Sequence, residues 1–241
     1  MPLRRLLEEA SGLPTVVDND ANTATWAEAR IGKSADYMMF LTIGTGVGGG
    51  FLLNGELYRG TTGIGAEVGH IVVDPQGRCR CSCGLNGCLE ALASGTALGR
   101  YGREAAAADP TGHLATLAGQ PPAVTGQIVQ MAAEAGDPVA RSLYARLGFW
   151  LGVGIASLVT VFDPELIVLG GGVATAGDML LAPTRVSFEE HLFARAHRRV
   201  PPIVGATLGV EAGWAGAGLL ALDLRRELRR PMLGEPASSS S

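Results

Sequence analysis

One histidine and all four cysteines of this 241-residue chain fall between Gly63 and Glu90, in GIGAEVGHIVVDPQGRCRCSCGLNGCLE. Cys81, Cys83 and Cys88 form a C-x-C-G-x-x-G-C array, and ten residues separate His70 from its first cysteine. Three thiolates and an imidazole complete a closed tetrahedral metal site, the pattern of structural zinc. Gly84 and Gly87 let the backbone turn tightly enough for the sulfurs to converge. A C-x-C pair is poorly spaced for an unstrained disulfide, which leaves metal binding as the expectation. Cys79 is the spare thiol, either a substitute ligand or a small neighbour.

Two further sets of residues could do chemistry. In Asp18-Asn19-Asp20-Ala21-Asn22 the Asp20 carboxylate is a candidate base for a hydroxyl proton. Read alone, that run signals first a turn and a helix cap. Gly44-Thr45-Gly46-Val47-Gly48-Gly49-Gly50 follows a strand and can present backbone N–H groups to phosphate oxygens, or simply turn a tight hairpin. Gly170-Gly171-Gly172 follows a second apolar strand.

The elements that must position these residues alternate strand and helix. Leu3, Leu6 and Leu7 have helical spacing that Gly12-Leu13-Pro14 ends. Thr15-Val16-Val17 reads as a short buried strand, and a helix runs through residues 24–30, capped by Asp20 or a near neighbour. Residues 37–43 form a strand; residues 49–53 and 56–58 flank Asn54-Gly55, a two-residue hairpin signal. Residues 105–124 read as a surface excursion and 125–135 as a helix. Asp137-Pro138 is a cap and first turn for a buried helix to Phe162. A strand over 165–169, a helix over 178–195, a strand over 203–208 and a helix over 213–229 follow, then a disordered tail over 231–241. Such alternation predicts an α/β architecture, with an antiparallel hairpin in a mixed sheet.

Bulk properties narrow the function. The chain is 47% hydrophobic and 17% charged, with a formal net charge of −4. Phosphate binding along nucleic acid needs clustered Lys and Arg, so a nucleic-acid partner is not expected. The most apolar uncharged run, residues 147–162, is shorter than the roughly 20 residues of a membrane span. Arg4-Arg5 is followed by Glu8-Glu9, unlike a secretory leader. Reduced, metal-bound cysteines fit a cytoplasmic protein without a membrane partner.

Gly69-His70 and C-x-C-G-x-x-G-C-x-E ending at Glu90 resemble the signature of the ROK family, the sugar kinases and related sugar-responsive repressors. LTIGTGVGGGFLLNGELYRGTTGIGAEVGH, residues 41–70, is similar to that family's glycine-rich signature. The resemblance implies an actin-like sugar kinase fold with a ribonuclease H-like core. It also implies glucokinase-type activity: the terminal phosphoryl of Mg-ATP passes to the 6-hydroxyl of a hexose, glucose foremost. On matching positions it makes Asp20 the base, and Asn19, Glu67, His70 and Glu90 ligands of sugar hydroxyls. Gly44, Thr45 and Gly46 would meet phosphate, Gly170, Gly171 and Gly172 the adenosine side. A structural zinc would sit on His70, Cys81, Cys83 and Cys88. His70 serves both metal and sugar if one ring nitrogen takes the ion and the other a hydroxyl. Homodimers or homotetramers are implied.

The family's kinases open with a strand and an Asp-x-Gly-Gly-Thr loop that binds phosphate and helps hold Mg²⁺; that pattern does not occur here. The expected organisation is a remnant of a small N-terminal domain (1–36), a large sugar, zinc and nucleotide domain (37–212) and a C-terminal helix (213–230) returning to the small lobe. With the phosphate lobe partial, activity of so short a chain is an open expectation. Its rivals are a zinc-stabilised sugar-binding or dimerisation module and the effector domain of a repressor.

Overall fold

The middle of the sheet is β1 (Met38–Ile43), an apolar run broken only by Thr42 and buried at every other position. Continuous apolarity suits a strand covered on both faces. The side-chain period of two splits it: Met39, Leu41 and Ile43 enter one core, Met38 and Phe40 the other. The computed structural model describes residues 2–229.

Around β1 lie β2 (Val47–Leu53), β3 (Glu56–Leu57), β4 (Leu166–Gly170) and β5 (Ile203–Gly205), in the order β3-β2-β1-β4-β5. β1 pairs antiparallel with β2 and parallel with β4; β2 pairs antiparallel with β3, and β4 parallel with β5. Asn54 and Gly55 turn the β2–β3 hairpin with φ of 57° and 75°, the positive pair a two-residue turn requires.

Nine α-helices occur among the described residues. α1 (Leu3–Ser11) stands first and buries no residue. α2 (Asp20–Ala27) lies on the face formed by Met38, Phe40, Leu52 and Val168, and the last helix, α9 (Ala212–Arg229), covers the same face. The opposite face carries α3 (Leu89–Ala93), α4 (Gly95–Ala108), α5 (His113–Ala118), α6 (Gly126–Glu134), α7 (Pro138–Phe162) and α8 (Asp178–His191), in a larger core. The result is a three-layer α/β fold, with helices on both faces of a mixed sheet. α6 and α7 start where the sequence marks them: Thr125 accepts the Ile128 N–H and Asp137 the Ala140 N–H.

Close approach requires glycine between α2 and β2. A Cβ on Gly50 would lie 2.3 Å from Thr25 Oγ1. Beyond α2 a π-helical turn, Glu28–Gly32, buries Glu28, whose Oε1 accepts the Thr207 and Leu208 N–H groups and so ties α2 to the approach of α9.

Three expectations are corrected. Thr15-Val16-Val17 forms no strand, and Val16 and Val17 are exposed, because no neighbouring strand is in register to pair with them. Residues 105–124 are not a mere surface excursion: Leu114, Ala115 and Val124 are buried through α5 and its packing on α4 and α6. The buried helix expected from Pro138 to Phe162 forms over those residues, and only its reading as too short for a membrane span is corrected: the whole helix is long and apolar enough to cross a membrane, yet half of its most apolar window is buried inside the protein, chiefly against α8. The tail expected over 231–241 lies outside the described residues.

Candidate active site and metal centre

α2 begins at a polar corner. Asn19 is its N-cap, its Oδ1 accepting from Ala21 N at 2.8 Å and Asn22 N at 3.2 Å. Asp20 is then the first helical residue, where the helix dipole favours a negative charge. One of its oxygens accepts the Ala21 N–H at 2.8 Å. Asn19 and Asp20 line a cavity of about 370 Å³ together with residues 44–49, Glu67, His70 and Glu90. The base and all four sugar-binding candidates read from the sequence therefore share one cavity.

The wall carrying Glu67 is strained. Ala66, which precedes it, has φ of +68°, a left-handed conformation unusual for a residue with a side chain. A 3₁₀ turn, Val68–His70, follows, with the His70 N–H donating to Glu67 O at 3.0 Å. Glu90, second residue of α3, is already engaged: Oε2 accepts the Val47 N–H and Oε1 the Ser82 hydroxyl.

His70, Cys81, Cys83 and Cys88 each place a donor atom within 4.8 Å of the others. Cys81 Sγ lies 3.6 Å from His70 Nδ1, and Cys83 Sγ lies 3.6 Å from Cys88 Sγ. Such separations are close to the edges of a tetrahedron with metal–ligand bonds of about 2.0 to 2.3 Å. The donor set fits a metal ion, with Nδ1 rather than Nε2 turned to the thiols. The knuckle is built by local bonds: Cys81 N to Leu85 O at 2.8 Å and Gly87 N to Cys79 O at 2.9 Å. Gly87 has φ of +73°, and a Cβ there would fall 1.8 Å from Asp74 O. Burial pushes the Cys88 thiol up to about 12, whereas the Leu85 N–H lowers that of Cys83. Cys79 stands outside the four, its sulfur 2.6 Å from Arg100 Nη1.

A second cavity, of about 570 Å³, meets the first at Gly44 and Thr45. Gly172 lines it; Gly170 and Gly171 do not, and Gly46 faces the first cavity instead. Gly171 has a structural reason to be glycine, with φ of +87° and a virtual Cβ 2.5 Å from Ile43 O. The remaining lining includes Thr96, Arg103, Thr125, Gln127 and Gln130, none of which sequence reasoning singled out for a site. Thr125 carried a cap signal only, and the others carried none. A larger cavity, about 850 Å³ between α2, β3 and α9, is lined by Trp26, Arg30, Leu220 and Asp223 among others and holds none of the candidates.

Comparison with known proteins follows the same geometry. The glucokinase of Streptomyces coelicolor is 41% identical over 225 residues, which cover 91% of this chain and 71% of that protein. The crystal structure of a ROK family glucokinase from Streptomyces griseus, in complex with glucose and AMPPNP, superposes with a TM-score of 0.84 at 41% identity, over 92% of this chain and 72% of that one. The ROK hexokinase of Thermus thermophilus gives 0.78 at 39% identity, over 94% and 71%. The sequence model of the ROK family matches residues 1–224, and with the shared fold and the histidine–cysteine knuckle in place, this chain belongs to the ROK family.

Proposed function

We propose that this chain is a glucokinase-type sugar kinase, transferring the terminal phosphoryl of ATP to the 6-hydroxyl of glucose. The observation that carries the reading is the meeting of two cavities at Gly44-Thr45, one holding a helix-start carboxylate and the other a glycine-lined channel. Its similarity to glucokinases at 41% identity supports the choice of glucose and ATP.

In this reading Asp20 accepts the proton of the attacking hydroxyl while the phosphoryl group transfers in line. Asn19, Glu67 and Glu90 hold the remaining hydroxyls, and the two glutamate carboxylates suit paired donors. His70 contributes Nε2, because Nδ1 is turned to Cys81. Backbone N–H groups of Thr45 and Gly46 approach the phosphates, while the Gly44 N–H donates to Gly46 O and shapes that turn, and Gly172 borders the nucleoside side. Mg²⁺, bound with ATP, would neutralise charge on the transferring phosphate. Zinc is the ion the three thiolates and one imidazole suit, and its role is to pin the segment carrying Glu67 and His70 to the start of α3, which carries Glu90. The reading extends to a homodimer or homotetramer in the cytoplasm, where the four unpaired thiols would stay reduced.

A coupled phosphorylation assay with glucose, ATP and Mg²⁺ tests the activity. Glucose-dependent ADP formation supports it; glucose binding without ADP formation overturns it in favour of a sugar-binding module. Sedimentation of the same sample reads the oligomeric state.

A further inference from the structure

Asp18, beside the proposed base, is unusually well held for a residue with no assigned role. Its side chain is 8% exposed, and both oxygens are fully engaged. Oδ2 accepts from Arg59 Nε at 2.8 Å and lies 2.6 Å from Arg59 Nη2, the two-pronged contact of a guanidinium on a carboxylate. Oδ1 accepts the Asn19 N–H and the Asn22 Nδ2–H, each at 2.8 Å. With every favourable acceptor direction committed, Asp18 has nothing left to offer a ligand.

Arg59 stands at the head of the other wall. Its carbonyl accepts the Gly65 N–H at 2.9 Å, closing the loop that leads directly to Ala66 and Glu67. The approach is so close that a Cβ on Gly65 would lie 2.9 Å from the Arg59 carbonyl. The backbone of Arg59 thus closes the sugar loop, while its side chain grips the base motif 41 residues earlier in the chain. Among the described residues no other side-chain hydrogen bond joins residues 18–22 to residues 58–70.

We infer that Arg59 and Asp18 are a pair of positioning residues, a clamp that sets Asn19 and Asp20 at their working distance from Glu67 and His70. This rests on the kinase reading above. Arg59 is 43% exposed, so solvent screens the pair and limits its stabilisation, although Asp18 itself is buried. Here the consequence is geometric: phosphoryl transfer depends on alignment, and a misplacement of about 1 Å costs on the order of 100-fold in rate.

The test compares Arg59→Ala, Arg59→Lys, Asp18→Asn and the Arg59→Ala/Asp18→Asn double variant at saturating glucose. Arg59→Ala is expected to lower kcat about 10- to 100-fold in a chain that stays folded but melts at a lower temperature, while the double variant, which removes the stranded charge as well, regains part of that melting temperature without regaining kcat. Arg59→Lys should recover part of the loss, because it keeps the charge but not the fork. The double variant should lose no more than the worse single, as members of one device do. Unchanged kcat in Arg59→Ala, or losses that simply multiply, overturns the clamp. If the wild-type chain turns over no sugar, the kinase reading fails by itself, and amide exchange then decides the clamp. Joint loss of protection at residues 19–22 and 65–70 in Arg59→Ala supports it; loss at neither or at only one refutes it.

Discussion

Glu90 reaches back to Val47: its Oε2 accepts the Val47 N–H at 3.1 Å while its Oε1 accepts the Ser82 hydroxyl at 3.0 Å. One carboxylate thereby joins the glycine loop to the cysteine knuckle. Gly46 is small for the same reason, since a Cβ there would lie 2.3 Å from Glu90 Oε2. Gly46→Ala and Glu90→Ala should therefore produce the same defect, a rise in KM for glucose of about 10-fold or more from a lost charge-assisted contact. Steady-state kinetics on both variants check this, and a Gly46→Ala enzyme with wild-type KM would separate the two residues.

Asp20 is exposed to the cavity and uses one oxygen on its own helix. Asp20→Asn keeps that hydrogen bond and removes the basic site. Turnover should fall by about 10² to 10⁴, the usual contribution of general-base catalysis, with glucose binding retained by calorimetry.

Metal occupancy should depend on pH in one direction. Every thiol must lose its proton to ligate an ion, and Cys88, pushed up to about 12 by burial, holds its proton at neutrality in the metal-free chain. Zinc added to metal-free protein should release protons, and its apparent affinity should rise as pH rises and fall on acidification. Without metal the sign reverses: a raised Cys88 thiol stabilises the fold below its ordinary value, and that contribution disappears as pH climbs toward about 12. Titration in two buffers of different ionisation enthalpy reads the protons. Cys88→Ser should reduce bound zinc and lower the melting temperature.

Two adjacent glycines should behave differently. Gly171→Ala forces φ of +87° on a side chain and sets its Cβ 2.5 Å from Ile43 O, so a loss of about 1–3 kcal/mol or more is expected in denaturant unfolding. Gly172 has nothing within 4 Å of a virtual Cβ and lines the second cavity. Gly172→Ala should leave stability intact and alter only KM for ATP.

The metal knuckle and the hairpin were legible because each is local. His70, Cys81, Cys83 and Cys88 lie within 19 residues, so spacing alone states that their side chains can meet. Asn54-Gly55 carries its own turn chemistry, and the N-cap of α2 is written in the residues beside it. The near-continuous apolar run of β1 likewise declares a strand covered on both faces. These are properties of neighbours along the chain, which backbone sterics and short-range hydrogen bonds decide.

Tertiary structure alone decided the rest. Thr15-Val16-Val17 has strand-forming side chains, yet a strand exists only where another edge offers hydrogen bonds, and none does. Leu114 and Val124 are buried because α4 and α6 close over them, a fact their polar neighbours conceal. Arg59 reads as one exposed cation in a glycine-rich loop until folding brings Asp18 beneath it. Gln127 and Arg103 border the second cavity only because α4 and α6 pack together against the loop at Gly172. Each of these depends on which distant segments share a surface, and that is settled by the packing of the whole core.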